Sequence, residues 1–338
     1  MGSLRTPNLQ YLDMSPSFPV TTHSGGLRHA ALFYAGLDKF AELTASFVRQ
    51  GLDAGEAVIV LTKGDKVGAL REELGSDAAE VLFGDMDEIG RNPARILPVW
   101  QDFITSHDGS HRGLRGVGEP IWAGRTPEEI VEAQRHESLI NFALAGAPLL
   151  IACPYDTGVL EPDVIEEARR THPFLLEEGD LEYRDSSAYR AGEDMGAPFD
   201  DPLPEPRSRP EEMPVAPDRI SSLRIFVSRR SAAFGLDPGR TDDLVLAMNE
   251  IVTNTLRHGG GRGVLRLWHE GNSIVCEVRD RGQIDEPMVG RTRPSPTQET
   301  GFGLWLVNQL CDLVQVRSFA SGTVVRVHMG RTIPQSVA

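Results

Sequence analysis

DDLVLAMNEIVTNTLRHGG, residues Asp242 to Gly260, reads as one long amphipathic helix. Leu244, Met248, Ile251 and Val252 recur at helical spacing and make a core stripe. Glu250, Asn254 and His258 stand at i, i+4 and i+8 and share a different face. A carboxylate and a carboxamide one turn apart suit a hydrated Mg²⁺, which takes oxygen ligands and keeps several waters. The same spacing also describes an ordinary solvated face, so the segments downstream decide the reading.

In EVRDRGQID (Glu277–Asp285) the inward alternation of Cys276 and Val278 leads to Asp280 and Gly282 at the end of a strand. An acid there can accept a hydrogen bond from an adenine amino group, and a glycine two residues on admits close backbone approach. By itself the pattern is also a common turn. ETGFGLWLVNQLCDLV (Glu299–Val314) enters a helix behind Gly301 and Gly303, and free N–H groups at such a helix start cradle phosphate. In SGTVVRVHM (Ser321–Met329), Thr323 begins a closing strand. Gly263–His269 and Ser273–Asp280 form a hairpin around Glu270–Asn272, and Leu313–Phe319 pairs with Thr323–Met329 around Ser321–Gly322. The expected C-terminal fold is α+β, with helices on one face of an antiparallel sheet.

Upstream, Arg190–Pro217 has seven prolines between Pro198 and Pro217 and almost no aliphatic residues. It reads as a semi-rigid extended linker that forms neither helix nor sheet. Before it, strand and helix patterns alternate. Strands are expected at His29–Tyr34, Ala57–Thr62, Val81–Phe83, Leu114–Pro120 and Pro148–Asp156. Helices are expected at Leu37–Leu52, Asp65–Leu74, Asn92–His107, from Thr126 onward, and at Glu161–His172. Thr126, Pro127 and Glu129 make a strong helix start. The βα repetition implies a doubly wound, mostly parallel α/β sheet. The division is therefore a flexible N-terminus (1–25), an α/β domain (26–189), a linker (190–217) and an α+β domain (218–332).

Bulk properties set limits on function. The formal net charge of −15 is uneven: from Asp218 onward fifteen arginines, no lysine and twelve acids give about +3, leaving about −18 for the rest. No dense basic stripe with interleaved aromatics points to nucleic acid. No apolar run is long enough to span a bilayer and the start carries no secretory pattern, so a cytoplasmic protein is expected. Cys153, Cys276 and Cys311 are scattered and form no CxxC pair, which argues against a disulfide framework or a structural zinc motif.

Taken jointly, Glu250/Asn254, Asp280-x-Gly282, Gly301-x-Gly303-Leu304 and Gly322-Thr323 resemble the N, G1 and G2 boxes of the GHKL ATPases over Arg219–Gly330. Within that superfamily, LAMNEIVTNTLRHG is closest to the anti-sigma-factor serine/threonine kinases. The resemblance implies ATP and Mg²⁺ as cofactors. It makes Asn254 a Mg²⁺ ligand and Glu250 the general base, and it puts Asp280 and Thr323 on adenine. Gly282, Gly301 and Gly303 would line the phosphate loop, Leu304 would belong to the nucleotide site, and His258 would either lie near the triphosphate or cap the helix C-terminus before Gly259. Implied partners are a sigma factor and an anti-anti-sigma protein of the STAS type. One departure stands out: the DxGxG box reads Asp280-Arg281-Gly282-Gln283-Ile284, without its second glycine.

The first domain resembles the MEDS sensory domains of methylotroph and methanogen regulators, through HAALFY, RGVGEPIW (Arg115–Trp122) and HESLINFAL…LLIACPYD. That fold is related to the RecA/KaiC core, yet no GxxxxGK[ST] is present, so P-loop ATP binding is not expected. His29, Glu119, Trp122, Cys153, Tyr155 and Asp156 fall mostly at expected strand ends, where open α/β sheets bind ligands, and make a candidate small-molecule pocket. The reading that follows is a sensor-coupled anti-sigma kinase without direct nucleic-acid or membrane contact, with a homodimer left open. Two alternatives are a non-catalytic ATP-binding module and a sensor histidine kinase. The latter lacks a dimerisation hairpin before the ATP domain, and His136-Glu137 only superficially suggests an acceptor site.

Overall fold

The computed structural model describes residues 26–110, 113–176, 181–191, 199–294 and 301–331. The expected flexible N-terminus lies outside these residues. The chain divides into two compact units, Met1–Gly196 and Ala197–Ala338.

In the first unit, β1 (Arg28–Tyr34), β2 (Ala57–Thr62), β3 (Val81–Asp85), β4 (Leu114–Gly118), β5 (Leu149–Asp156), β6 (Phe174–Leu176) and β7 (Tyr183–Asp185) form one sheet. Its order is β3-β2-β4-β5-β1-β6-β7, parallel except for the β6–β7 pair. All six residues of β2 are buried, as a continuous apolar strand covered on both faces should be. Helices α1 (Leu37–Asp53) and α2 (Gly64–Leu74) follow β1 and β2. Phe40, Leu43, Phe47 and Val48 of α1 join Ala30, Leu32 and Tyr34 of β1 in the core on one side. After the short α3 (Met86–Ile89) come α4 (Ile96–Ser106), α5 (Pro127–Ala143) and α6 (Pro162–Thr171). Thr126 and Glu129 close a complete capping box on α5, a device that stabilises a helix by about 1 kcal/mol. The expected strand–helix alternation is present; α3, β6 and β7 are additional short elements.

The second unit has β8 (Glu211–Val215), β9 (Gly263–Glu270), β10 (Ser273–Asp280), β11 (Leu313–Phe319) and β12 (Gly322–Gly330), antiparallel throughout in the order β11-β12-β10-β9-β8. Helices α7 (Ile220–Phe234), α8 (Pro238–His258) and α9 (Phe302–Leu310) share one core with the inward residues of the sheet, among them Leu265, Cys276, Val278 and Val327. The helix read from Asp242 starts earlier, because Asp237 caps it by accepting from the Arg240 N–H and Pro238 fits the first turn.

One expectation is corrected here. The proline-rich stretch 190–217 is not free of sheet structure: Glu211–Val215 is the edge strand β8 on β9. Pro214 is tolerated because only one side of an edge strand needs donors. The residues just before it lie over the outer sheet face. Glu205 accepts from Arg266 and Arg279, Pro204 O from Arg326 and Asp201 O from Arg317. Beneath them, Glu277 is fully buried and accepts from Arg266, Arg279 and Arg326 at 2.6–2.8 Å. Burial pushes its carboxyl upward, but the three guanidinium groups outweigh that and hold it below the usual range. All three cysteines are free and buried, and no helix among the described residues is long and apolar enough to cross a membrane.

Candidate functional site

The C-terminal end of α8, the end of β10, the start of β12 and the start of α9 surround one open cavity. It measures about 370 Å³ including the solvent at its mouth. Ile251, Asn254, Thr255, His258, Asp280 and Gly282 line one part of it, and Ile284, Leu304, Thr323 and Val325 another. The floor is Asp280, the last residue of β10, paired with Gly263 on β9 and Thr323 on β12. Its two carboxylate oxygens are fixed separately. Thr255 Oγ1 donates to Oδ2 at 2.6 Å and the Gly282 N–H donates to Oδ1 at 2.9 Å. Each oxygen keeps acceptor capacity toward the cavity. Thr323 Oγ1 donates to Gly282 O at 2.9 Å, tying the turn after Asp280 to β12.

Backbone approach explains two of the glycines. Gly303 lies in the first turn of α9, and a Cβ there would sit 3.1 Å from Asn254 Nδ2 and 3.3 Å from Glu250 Oε2. The start of α9 thus rests directly against the polar face of α8. Gly322 has φ +137°, and a Cβ there would be 2.0 Å from Asp280 O, so no other residue fits beside the strand end. Gly301 precedes α9 in the left-handed region at φ +96°, and among the described residues no side chain caps the helix there. Glu250 and Asn254 are half-buried, and His258 is exposed at the last position of α8. Six of the nine candidate residues of this unit, Asn254, His258, Asp280, Gly282, Leu304 and Thr323, line the cavity; Gly303 abuts Asn254 and Glu250, and Gly301 precedes it at the start of α9.

The sequence reading missed Thr255 and Ser318. Thr255 follows Asn254 on α8 and is buried; a hydroxyl on the sheet-facing side of the helix was its only signal. Ser318 Oγ accepts from the Ile284 N–H at 2.7 Å. Ile284 stands where the second glycine of DxGxG is absent. Its backbone is not in the positive-φ region and its side chain packs on the core, so the position makes no demand for glycine.

The six candidates of the first unit do not share one cavity. Side chains alternate across a strand, so Tyr34 and His29 of β1 face opposite sides of the sheet. On the Tyr34 side, buried Glu119 accepts from Tyr34, Thr62 and Lys66, and burial raises its pKa despite the lysine. On the other side, His29, Cys153 and Tyr155 are fully buried together with Glu137 and His172, two residues that the sequence reading did not single out. Trp122 is stacked by the Arg125 guanidinium at 3.7 Å, and burial lowers the pKa of that arginine to about 10. Asp156 accepts from the Gly158 N–H of its own turn and from the Gly36 N–H in the loop between β1 and α1.

Comparison with known proteins agrees with this division. Residues 28–173 match the family described as MEDS, the methanogen/methylotroph DcmR sensory domain, and residues 213–329 match the histidine kinase-like ATPase domain. No curated protein matches. Among solved structures, the chain is similar to the RsbU and RsbW domains of Rv1364c from Mycobacterium tuberculosis, at 19% identity and a TM-score of 0.28, over 36% of this chain and 32% of that one. It is also similar to the Acinetobacter baumannii histidine kinase AdeS, at 11% identity and a TM-score of 0.23, over 37% of this chain and 70% of that one. The chain thus spans about a third of the length of the first of these. The protein is a MEDS domain over residues 28–173 followed by a histidine kinase-like ATPase domain over residues 213–329.

Proposed function

We propose that the second domain binds Mg·ATP and acts as an anti-sigma-type serine/threonine protein kinase, with the first domain as its input. The supporting observation is the convergence at Gly303. A helix start that no described side chain caps lies against Asn254 and Glu250, beside a cavity whose floor is a fixed carboxylate. The cradle fits the implied group, since glycine at 303 leaves room where a side chain would press on both polar residues.

In this reading Asp280 accepts from the adenine amino group, held in place by Thr255 and Gly282. Ile251, Ile284, Leu304 and Val325 supply the apolar walls of the base pocket. Thr323 holds the turn that closes it. Gly301 and Gly303 present backbone donors to phosphate, with His258 beside them, and Asn254 offers its carboxamide oxygen to Mg²⁺. Bound Mg·ATP would supply the phosphoryl group and neutralise the charge that develops in transfer. In this reading Glu250 takes the proton of a seryl hydroxyl, a role that contributes roughly 10²–10⁴-fold. A histidine kinase reading is not favoured, because His136 is buried inside α5 and no phosphodonor could reach it.

The proposed partners are a sigma factor, which the domain would sequester, and an anti-anti-sigma protein of the STAS type, which it would phosphorylate on serine. Incubation of the full chain with γ-labelled ATP and such a protein should transfer label to a serine of that protein. Label retained on a histidine of this chain, or no transfer although ATP binds, would contradict the kinase assignment.

A further inference from the structure

Four side chains from separate segments of the first unit meet at one buried point: His29 on β1, Glu137 on α5, Cys153 on β5 and His172 just after α6. None is more than 1% exposed. One ligand atom from each lies within 4.8 Å of all the others. Glu137 Oε2 is 2.8 Å from His29 Nε2 and 3.1 Å from His172 Nε2, and Cys153 Sγ is 3.2 Å from His29 Nε2.

The surrounding hydrogen bonds fix where the ring protons are. Asn141 Nδ2 faces the backbone carbonyls of Glu137, Ser138 and Thr171, so its Oδ1 is the acceptor that faces His29 Nδ1 at 3.1 Å. His29 therefore carries a proton on Nδ1. His172 Nδ1 lies 2.8 Å from the carbonyl oxygen of Ala168, which can only accept, so it too is protonated there. Both neutral rings then aim an Nε2 lone pair at the same carboxylate oxygen. Neither Glu137 oxygen nor His172 Nε2 has a hydrogen-bond partner of acceptable geometry. Buried lone pairs facing one another need a shared proton or a metal cation between them, and a single proton on Glu137 serves only one of the two rings. Protonating one ring leaves the other unpaired. Protonating both puts two cations 4.1 Å apart, centroid to centroid, in a sealed pocket.

We propose that His29, Glu137, Cys153 and His172 form a closed four-coordinate site for a divalent transition metal, with Zn²⁺ the best match. Two neutral imidazoles, a thiolate and a carboxylate around one dication sum to zero charge, the condition that burial favours. Imidazole and thiolate ligands select against Mg²⁺ and Ca²⁺, which take oxygen. Zinc bonds of about 2.0–2.3 Å make a tetrahedron with edges of about 3.3–3.8 Å, so the shortest contacts here would open by roughly half an ångström. The Asn141 and Ala168 acceptors are the outer partners that orient metal-bound histidines. With four protein ligands and no open position, the metal would staple β1, β5, α5 and the end of α6 together. As a ligand Cys153 would bind as the thiolate, its proton released on binding the metal.

The test uses the full chain, purified without chelator and analysed by plasma mass spectrometry, with about one zinc per chain expected. Stripped protein titrated with Co²⁺ should develop a thiolate-to-cobalt charge-transfer band together with tetrahedral d–d absorption, and Zn²⁺ should raise its melting temperature. The band should be missing in Cys153→Ser and weakened in Glu137→Gln. If these variants fail to fold, zinc content and the cobalt spectrum of the parent decide. A parent that holds no zinc and shows neither cobalt band nor thermal shift overturns the proposal. So does a charge-transfer band that survives Cys153→Ser, since the thiolate would then be Cys276 or Cys311.

Discussion

At the scale of single residues, the cavity of the ATPase domain depends on side chains that fix one another. Asp280 can recognise a base only if its two oxygens stay put, and Thr255 and Gly282 hold one each. A hydrogen bond to a charged group contributes about 1.5–3 kcal/mol. Thr255→Val is therefore expected to weaken ATP binding by roughly 10–100-fold while leaving the fold intact, as read by calorimetric titration. Glu250→Ala should behave oppositely: ATP affinity stays near that of the parent while single-turnover phosphoryl transfer falls by roughly 10²–10⁴-fold. An unchanged transfer rate would remove Glu250 from the role of base. Of these residues, Glu250, Asn254, Asp280, Gly301 and Gly303 were legible in the sequence because their spacing is a property of the chain. Thr255 and Ser318 were not, because what matters is which buried atom they reach. The same holds in the first domain. His29 and Cys153 drew attention as strand residues, but Glu137 and His172 become their neighbours only once α5 and α6 pack on the sheet.

At the scale of elements, the periodic segments were readable and the weakly patterned ones were not. β2 and α8 announce themselves by apolar spacing. β6 and β7 have three residues each, too short for alternation to register. β8 was hidden by composition: prolines and acids argue for a linker, and only the arginines of the opposite sheet face reveal what those acids bind. A fragment beginning at Ala197 should consequently melt at higher temperature than one beginning at Asp218, which lacks β8 and the residues over Glu277. Equal melting temperatures would show that the segment adds nothing to the fold. Hydrogen bonds from Arg266 and Arg279 hold the Glu205 carboxyl down at about 2, against an ordinary 4.5. Its folded-state pKa is lowered, so its contribution is complete above about 4.5 and is lost as the pH falls toward 2. Glu205 is largely exposed, so the effect is a modest one, damped by solvent. Glu205→Gln should flatten the acid limb of the melting profile over that interval and change little at neutral pH. A steeper acid limb in the variant would contradict the assignment.

At the scale of the whole molecule, two units with separate sheets and separate cores share one chain. Each should fold alone, and residues 26–191 and 197–338, expressed separately, are expected to melt cooperatively. A fragment that is insoluble while the intact chain melts sharply would contradict that independence. The account as a whole rests on the cavity between α8, β10, β12 and α9 being a Mg·ATP site. Isothermal titration of Mg·ATP into the full chain tests this most directly, run in parallel on Asp280→Asn and Asn254→Ala. Saturable binding at one site per chain, lost or strongly weakened in both variants and reduced when Mg²⁺ is withheld, is the predicted result. A parent chain that binds no Mg·ATP, or variants that bind it as the parent does, would contradict the central claim.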